Sequence, residues 1–423
     1  MSYKKENIKK GVNVHKINTN KFKTNLFAIF LTTNLDRKTI TQNALLASVL
    51  RRGTKNMTTQ EEISKNLENM YGASFDCGVE KSGNNHIIKF FIESINNNFL
   101  PSQENLSKEC MEILLDIVFS PYLENGKFKQ EYVDGEKENL KQLIQGKIDN
   151  KARYAYDRCI EEMYKNEPYG LYKYGYIEDL DKITPESLYQ YYTELIKNAK
   201  IDIFVSGELN DEIISEIKEN EIVKKLPERE AKYSINSQDE QKTKIEKPNT
   251  VTESMQITQG KLIIGLDVLN ASKENKYATS VYNVILGGSA NSKMFQNVRE
   301  KASLAYSAGS NYLRQKDNII IKCGIDIPNY EKALEIIKEQ LKQMENGDFT
   351  QEDIQNAKIL ISSTVGSIPE TQDSEITYYL AQELSDEFVS ISDYVSKIKE
   401  VTKEQIVQIA KNIQINTVYF LKD

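Results

Sequence analysis

The chain has 423 residues, with 55 basic against 62 acidic side chains and a net charge of -7, so it lacks the basic footprint that a nucleic-acid backbone demands. No apolar run approaches the roughly 20 residues of a membrane span, and no apolar signal region follows the basic N-terminus. The four cysteines (Cys77, Cys110, Cys159, Cys323) lie far apart without metal-type spacing, so a reduced, cytoplasmic protein is expected.

In chain order, residues 10 to 32 predict two strands, with a turn near Asn18 to Asn20. A helix follows with Asp36 as its N-cap, running through Ile40, Leu46, Val49 and Leu50 to stop at Gly53. Thr58-Thr59 with Glu61 and Glu62 opens a second helix that ends at Gly72. Strands at Ala73 to Glu80 and Asn85 to Ile95 form a hairpin. Helical periodicity then covers Glu104 to Phe119, Phe128 to Gly146 and Lys151 to Lys165. A helix at 185 to 197 and a strand at Lys200 to Val205 close the first half. Residues 222 to 250 are polar and aperiodic, and read as a linker. Beyond it come strands within Thr252 to Val268, a helix from Ser272 to Leu286, the Gly287-Gly288 turn and a short helix. A strand pair from Leu304 to Ile325, three or four helices and a last strand at Ile415 to Leu421 complete the chain.

The second half repeats the first. Adding 235 carries Gly53 onto Gly288, Thr54 onto Ser289 and Tyr71 onto Tyr306. Adding 218 carries Ile183 to Gln190 (ITPESLYQ) onto Val401 to Gln408 (VTKEQIVQ). The expected fold is α+β: two tandem, internally duplicated domains, each a sheet with a helical layer, at 1-221 and 251-423.

Histidine is scarce. Only His15 and His86 are present, and neither HExxH nor HxxEH can be written from the sequence. Cys77 and His86 fall on the two arms of one hairpin, with His86 opposite a residue near Lys81. A strand cysteine and a surface histidine are a better reading of them than a metal pair. No GxSxG elbow or phosphate loop is present.

Gly287-Gly288, Ser292-Lys293-Met294-Phe295, Arg299-Glu300-Lys301 and Leu304-Ala305-Tyr306 together resemble the C-terminal signature of the pitrilysin/insulinase metallopeptidases. Glu167-Pro168-Tyr169-Gly170 is a weaker match to the same family. The resemblance covers essentially the whole chain, and it implies metallopeptidase-like domains that form half of a clamshell. Active members carry HxxEH on the helix before the turn at Gly53-Thr54; this chain has Ala44-Leu45-Leu46-Ala47-Ser48 there. The family's glutamate ligand falls on Leu143. Ala44, Ala47, Ser48 and Leu143 are therefore degenerate zinc-site positions, and neither a catalytic residue nor a metal is expected in this chain.

Arg299 and Tyr306 have two readings. By spacing alone they are a solvated helical arginine and a strand tyrosine packed on the core. The resemblance implies instead that they reach towards a peptide carbonyl, which a guanidinium and a phenol can hold and polarise. Gly287 and Gly288 either end a helix in a left-handed conformation or line the chamber where substrate backbone approaches, and the two readings are compatible. The resemblance thus implies a non-catalytic, substrate-binding subunit that pairs with an HxxEH-bearing homologue for peptide processing, with zinc held only by that partner. The alternative is a peptide-binding or scaffold protein with no role in proteolysis.

Overall fold

The computed structural model describes residues 2–101, 104–229 and 242–423. The N-terminal half runs β1 (Ser2–Lys9), β2 (Val12–Asn18), β3 (Thr24–Asn34), α1 (Ile40–Leu50), α2 (Gln60–Asn69), β4 (Ser74–Ser82), β5 (Asn85–Ile95) and α3 (Leu106–Phe119). A small hairpin of β6 (Leu123–Glu124) and β7 (Lys127–Phe128) precedes α4 (Gln130–Gln145), α5 (Lys151–Met163), α6 (Ile177–Leu180), α7 (Pro185–Asn198), β8 (Lys200–Gly207), α8 (Glu212–Glu219) and α9 (Glu221–Lys225). The C-terminal half runs β9 (Asn249–Ser254), β10 (Gly260–Val268), α10 (Asn275–Asn283), β11 (Ala305–Leu313) and β12 (Asn318–Ile325). It ends with α11 (Tyr330–Asn346), α12 (Gln351–Gly366), α13 (Gln372–Ser385), α14 (Ile391–Glu400), α15 (Lys403–Lys411) and β13 (Ile413–Lys422). Five helices thus stand where three or four were expected after Asn329.

The duplication is visible in strand pairing. The first sheet has the order β1-β2-β8-β3-β5-β4 and the second β9-β13-β10-β12-β11. Apart from β1 the two are the same sheet: β2 and β8 pair in parallel as β9 and β13 do, and the remaining pairs are antiparallel in both. Local signals repeat as well. Thr184 and Thr402 each cap their helix with a reciprocal capping box, so α7 and α15 start at matching positions. Asp36 is not the N-cap of α1. Its Oδ1 accepts from Lys38 N at 2.8 Å in the preceding turn, and Thr39 takes the cap position.

Packing groups the chain into two units that are discontinuous in sequence. Unit 1 comprises Met1–Gln145, Leu171–Ile235 and Pro369–Glu387; unit 2 comprises Gly146–Gly170, Asn236–Ile368 and Phe388–Asp423. Of the expected linker, residues 230–241 lie outside the described residues, while 221–225 is helix and 249–254 is strand.

Each sheet is covered on both faces, where a single helical layer was expected. In unit 1, Phe27, Ile29 and Leu31 of β3 join the large helical core, while Leu26, Ala28 and Phe30 pack with Ile376, Leu380 and Leu384 of α13. In unit 2, Leu262, Ile264 and Leu266 of β10 face the main core, and Ile263 packs with Ala155, Cys159 and Ile160 of α5. A helix from the opposite sequence half therefore closes the second face of each sheet. This is why the central strands are continuous apolar runs rather than alternating ones.

Candidate functional site

The positions that the resemblance assigns to a zinc ligand set all lie in unit 1. Helix α1 packs its Ala44 and Ala47 into the core, at 4% and 2% exposure, and Ser48 is half-buried. Leu143 on α4 is 48% exposed. Two buried methyl groups, one hydroxyl and one alkyl chain are not a zinc donor set. Among the described residues, no group of three or more His, Cys, Asp or Glu is placed to hold a metal. The residues do not fit the ion.

Packing and neutral hydrogen bonding occupy this region of α1. Cys77 Sγ approaches the carbonyl of Ala47 at 3.3 Å, so β4 lies directly on this helix face. Burial pushes the Cys77 thiol up to about 12. His86 is paired across the hairpin with Lys81, as expected, but it is fully buried rather than on the surface. Its Nδ1 lies 3.0 Å from Asn43 Nδ2, one residue before Ala44, and Tyr191 donates to Asn43 Oδ1 at 2.6 Å. Burial pushes the His86 imidazole down to about 4, so the ring is neutral and accepts from the Asn43 amide. Cys77 is paired with Phe90, four positions along β5 from His86, and the two side chains serve separate contacts.

The second histidine was equally hard to place from sequence. His15 is fully buried on the opposite face of the first sheet. Its Nε2 lies 2.9 Å from Asp202 Oδ1, and Tyr3 OH lies 2.8 Å from its Nδ1. Its ring stacks on Phe204 at 4.1 Å. Lys200 bridges Asp202 to Glu383 of α13, which Lys5 also grips at 2.7 Å. These groups form an internal clamp that holds α13 on the sheet. The spacing of the residues in sequence gave no sign of it, because α13 is remote in the chain.

The second group of candidates lies in unit 2. After α10 the helix continues as a π-helical turn, Val284–Gly288, and a second π-helical segment spans Met294–Lys301. Neither Gly287 nor Gly288 has a positive φ, so the expected left-handed helix end is absent. Gly287 is buried, and a Cβ on it would lie 2.5 Å from Ser310 Oγ and 2.6 Å from Ser310 N. It is needed because this chain's own strand β11 comes that close. Gly288 is exposed.

Arg299 is 43% exposed in its side chain, with its guanidinium 4.5 Å from the Phe295 ring centroid and its Nε 3.5 Å from Glu300 Oε1. Tyr306 at the start of β11 is 65% exposed and donates a 3.3 Å hydrogen bond to Asp326. It is not a core tyrosine. Both side chains present polar ends to solvent, tethered by weak surface contacts.

Comparison with known proteins identifies the family. Residues 182–361 match a family model described as the peptidase M16 inactive domain. A Bacillus subtilis (strain 168) protein named "Probable inactive metalloprotease YmfF" is 36% identical over 413 residues, covering 97% of this chain and 96% of its own length. From the same organism, an "Uncharacterized zinc protease YmxG" is 24% identical over 311 residues, 72% of each chain. The crystal structure of a conserved protein from Enterococcus faecalis V583 superposes with a TM-score of 0.89 at 27% identity, covering 100% of this chain and 99% of that one. By its near full-length likeness to the first of these, the chain belongs to the M16 family of pitrilysin/insulinase-type metallopeptidases, as an inactive homologue.

Proposed function

We propose that this chain is the substrate-binding, non-catalytic subunit of a cytoplasmic heterodimer, paired with an HxxEH-bearing homologue that holds the zinc and processes peptides. One observation carries this reading: the two halves of the family's chemistry have diverged. Ala44 and Ala47 are buried packing residues, whereas Arg299 and Tyr306 remain exposed with their polar groups available. A phenol that served only the fold would pack on the core, as the spacing alone implied for Tyr306, whereas it stands 65% exposed. The free thiols of all four cysteines support a reducing compartment. Bacillus subtilis (strain 168) holds both a relative named as inactive and one named as a zinc protease, so a pairing of the two kinds has its components in one organism.

In this role Arg299 and Tyr306 hold the peptide carbonyl as charge grows on its oxygen, and the partner supplies zinc, water and base. A hydrogen bond to a charged group contributes about 1.5 to 3 kcal/mol, against the about 8 to 23 kcal/mol by which enzymes lower barriers. The pair assists a catalyst and cannot replace one. Exposed Gly288 shapes the wall beside them, and buried Gly287 lets β11 pack closely behind it.

The test is co-purification with an HxxEH-bearing relative from the same organism, followed by peptide hydrolysis. The complex should form, require zinc, and lose about 10- to 100-fold in kcat on Arg299→Ala while still assembling. Chelator-sensitive hydrolysis by this chain alone would refute its non-catalytic role. Absence of any stable complex would remove the heterodimer. A complex whose turnover ignores both Arg299→Ala and Tyr306→Phe would favour a scaffold that binds peptide without serving proteolysis.

A further inference from the structure

Unit 2 contains a cavity of about 780 Å³, between the C-terminal ends of α5 and β10 and the loop that leads into α10. Its size falls within the about 300 to 1,000 Å³ of small-molecule sites. Most charges in its wall are matched. Lys242 donates to the carbonyls of Lys316 and Asp317 at 2.6 and 2.7 Å and lies 3.4 Å from Asp267 Oδ1. Asp267 also accepts from Asn318 and Asn416, both at 2.9 Å. Lys316 lies 3.3 Å from Glu167.

Lys276 is different. It lines the cavity and is only 7% exposed, yet among the described residues its ammonium has no hydrogen bond or ion pair. It is also not one of the fully enclosed polar atoms, so its Nζ retains access to open space. Its stem is packed while its ammonium opens on the cavity with no counter-charge paired to it among the described residues of the wall, which leaves its donors free for an anion. A second feature meets it there. Lys276 is in the first turn of the nine-residue helix α10, whose N-cap residue Glu274 makes no side-chain cap and whose first turn holds no acidic residue. Ser272 Oγ takes the Asn275 amide at 3.2 Å, and no side chain caps the next ones. Glu274 itself is exposed and accepts from Ser272. The helix end therefore adds amide donors and partial positive charge beside the unmatched lysine.

We propose that this cavity binds a small organic oxyanion, a phosphate monoester or a carboxylate, whose charged group sits between Lys276 and the first turn of α10. The body of the ligand occupies the polar space towards Glu167 and Asn416. Exposed Lys273 stands at the mouth and raises the local anion concentration. The site is independent of the proposed peptidase pairing and can fail or stand without it.

The experiment titrates the full-length chain with inorganic phosphate, acetate and chloride at matched ionic strength, by calorimetry and by thermal unfolding. Phosphate or acetate should saturate where chloride does not. The one that binds tells the phosphate-ester source from the carboxylate source. At 100 times Kd the folded state should gain about 100-fold in its equilibrium. Lys276→Gln should weaken binding at least tenfold while leaving the ligand-free protein as stable as the parent, because the ammonium makes no hydrogen bond or ion pair among the described residues that the substitution would break. Should that variant fold poorly, Ser272→Glu, which adds a carboxylate at the half-buried rim, should weaken binding equally with an unchanged circular dichroism spectrum. Equal response to all three anions, or unaltered phosphate and acetate binding in both variants, overturns the proposal.

Discussion

Gly287→Ala tests why the Gly-Gly turn exists. The new methyl carbon would lie 2.5 Å from Ser310 Oγ, 2.6 Å from Ser310 N and 2.9 Å from Ser310 Cβ, so backbone as well as side chain must yield. Ser310 is 6% exposed, and its hydroxyl donates to the Asn283 carbonyl at 3.2 Å and to Asn283 Oδ1 at 2.8 Å. Moving β11 away strains those bonds and the pairing of Ser310 with Ile321. Overpacking of this kind costs about 1 to 3 kcal/mol. A weakened buried hydrogen bond adds about 1 kcal/mol. The reduced freedom of the unfolded chain returns about 0.5 to 1 kcal/mol. A net loss of about 1 to 3 kcal/mol follows, local to unit 2. Because two units need not unfold together, hydrogen exchange across β11 and β12 is the appropriate readout, with urea unfolding in support. Gly366→Ala, where nothing lies within 4 Å of the added carbon, is the control and should be neutral or slightly stabilising. If Gly287→Ala protects β11 as well as the parent does, close packing is not the reason for the glycine, and an approach by substrate backbone would explain it better.

Asp202 should give an acid-sensitive fold in unit 1. Burial pushes its carboxyl up, but Lys200, His15 and Asn13 outweigh burial and hold it down at about 2. Stability from a depressed carboxyl is complete above the unfolded value and is lost as pH falls towards the folded one. Asp202→Asn should therefore flatten acid unfolding between about pH 4 and 2 and cost about 3 kcal/mol at neutral pH; an unchanged acid limb would rule the group out. Burial pushes Cys110 up to about 11 and Cys77, Cys159 and Cys323 up to about 12. Iodoacetamide at pH 8 should then leave the native thiols unmodified and alkylate all four in urea, and rapid native labelling would contradict this. Glu383→Gln should release α13 from Lys5 and Lys200, at a cost of about 1 to 3 kcal/mol, and speed proteolysis after Ser385. Unaltered cleavage would mean that apolar packing alone holds the helix.

The duplication was legible because its punctuation is local. Gly53 and Gly288 mark equivalent turns, and Thr184 and Thr402 cap equivalent helices. The match of Tyr71 to Tyr306 was less good in structure. Tyr71 has φ 57 in the turn before β4, whereas Tyr306 lies inside β11. Strand β1 was missed because Ser2–Lys9 is lysine-rich and carries no apolar alternation, as befits an exposed sheet edge. The exchange of α5 and α13 between halves leaves no mark in a linear pattern, since an amphipathic helix does not state which sheet it covers. At the candidate site, that Ala44, Ala47, Ser48 and Leu143 carry no zinc donors is a matter of residue type alone. The burial of His86 and the exposure of Tyr306 could not be read that way, because each depends on contacts remote in the chain.

Helix α1, where the resemblance puts the zinc motif, is a packing helix, and this bears on whether that motif could be introduced there. Adding 235 to Ala44, Ala47 and Ser48 gives Thr279, Tyr282 and Asn283, which are 1%, 1% and 8% exposed. The same helix face is thus core in both halves. In unit 1, Ala47 is 2% exposed and β4 rests on it through Cys77, so a glutamate there must displace the strand and bury a carboxylate, with Arg51 beside Cys77 as its nearby cation. Overpacking alone costs about 1 to 3 kcal/mol, and desolvation of the carboxylate adds to it. Leu143→Glu, on an exposed helix face, should stay within about 0.5 kcal/mol of the parent. Ala47→Glu should lower the urea midpoint clearly, and the full replacement of Ala44, Ala47, Ser48 and Leu143 by the family's ligand set should bind zinc only at the expense of β4 packing. If Ala47→Glu proves as stable as the parent, room for the catalytic base has survived, and the chain is inactive by loss of side chains alone rather than by repacking of the helix.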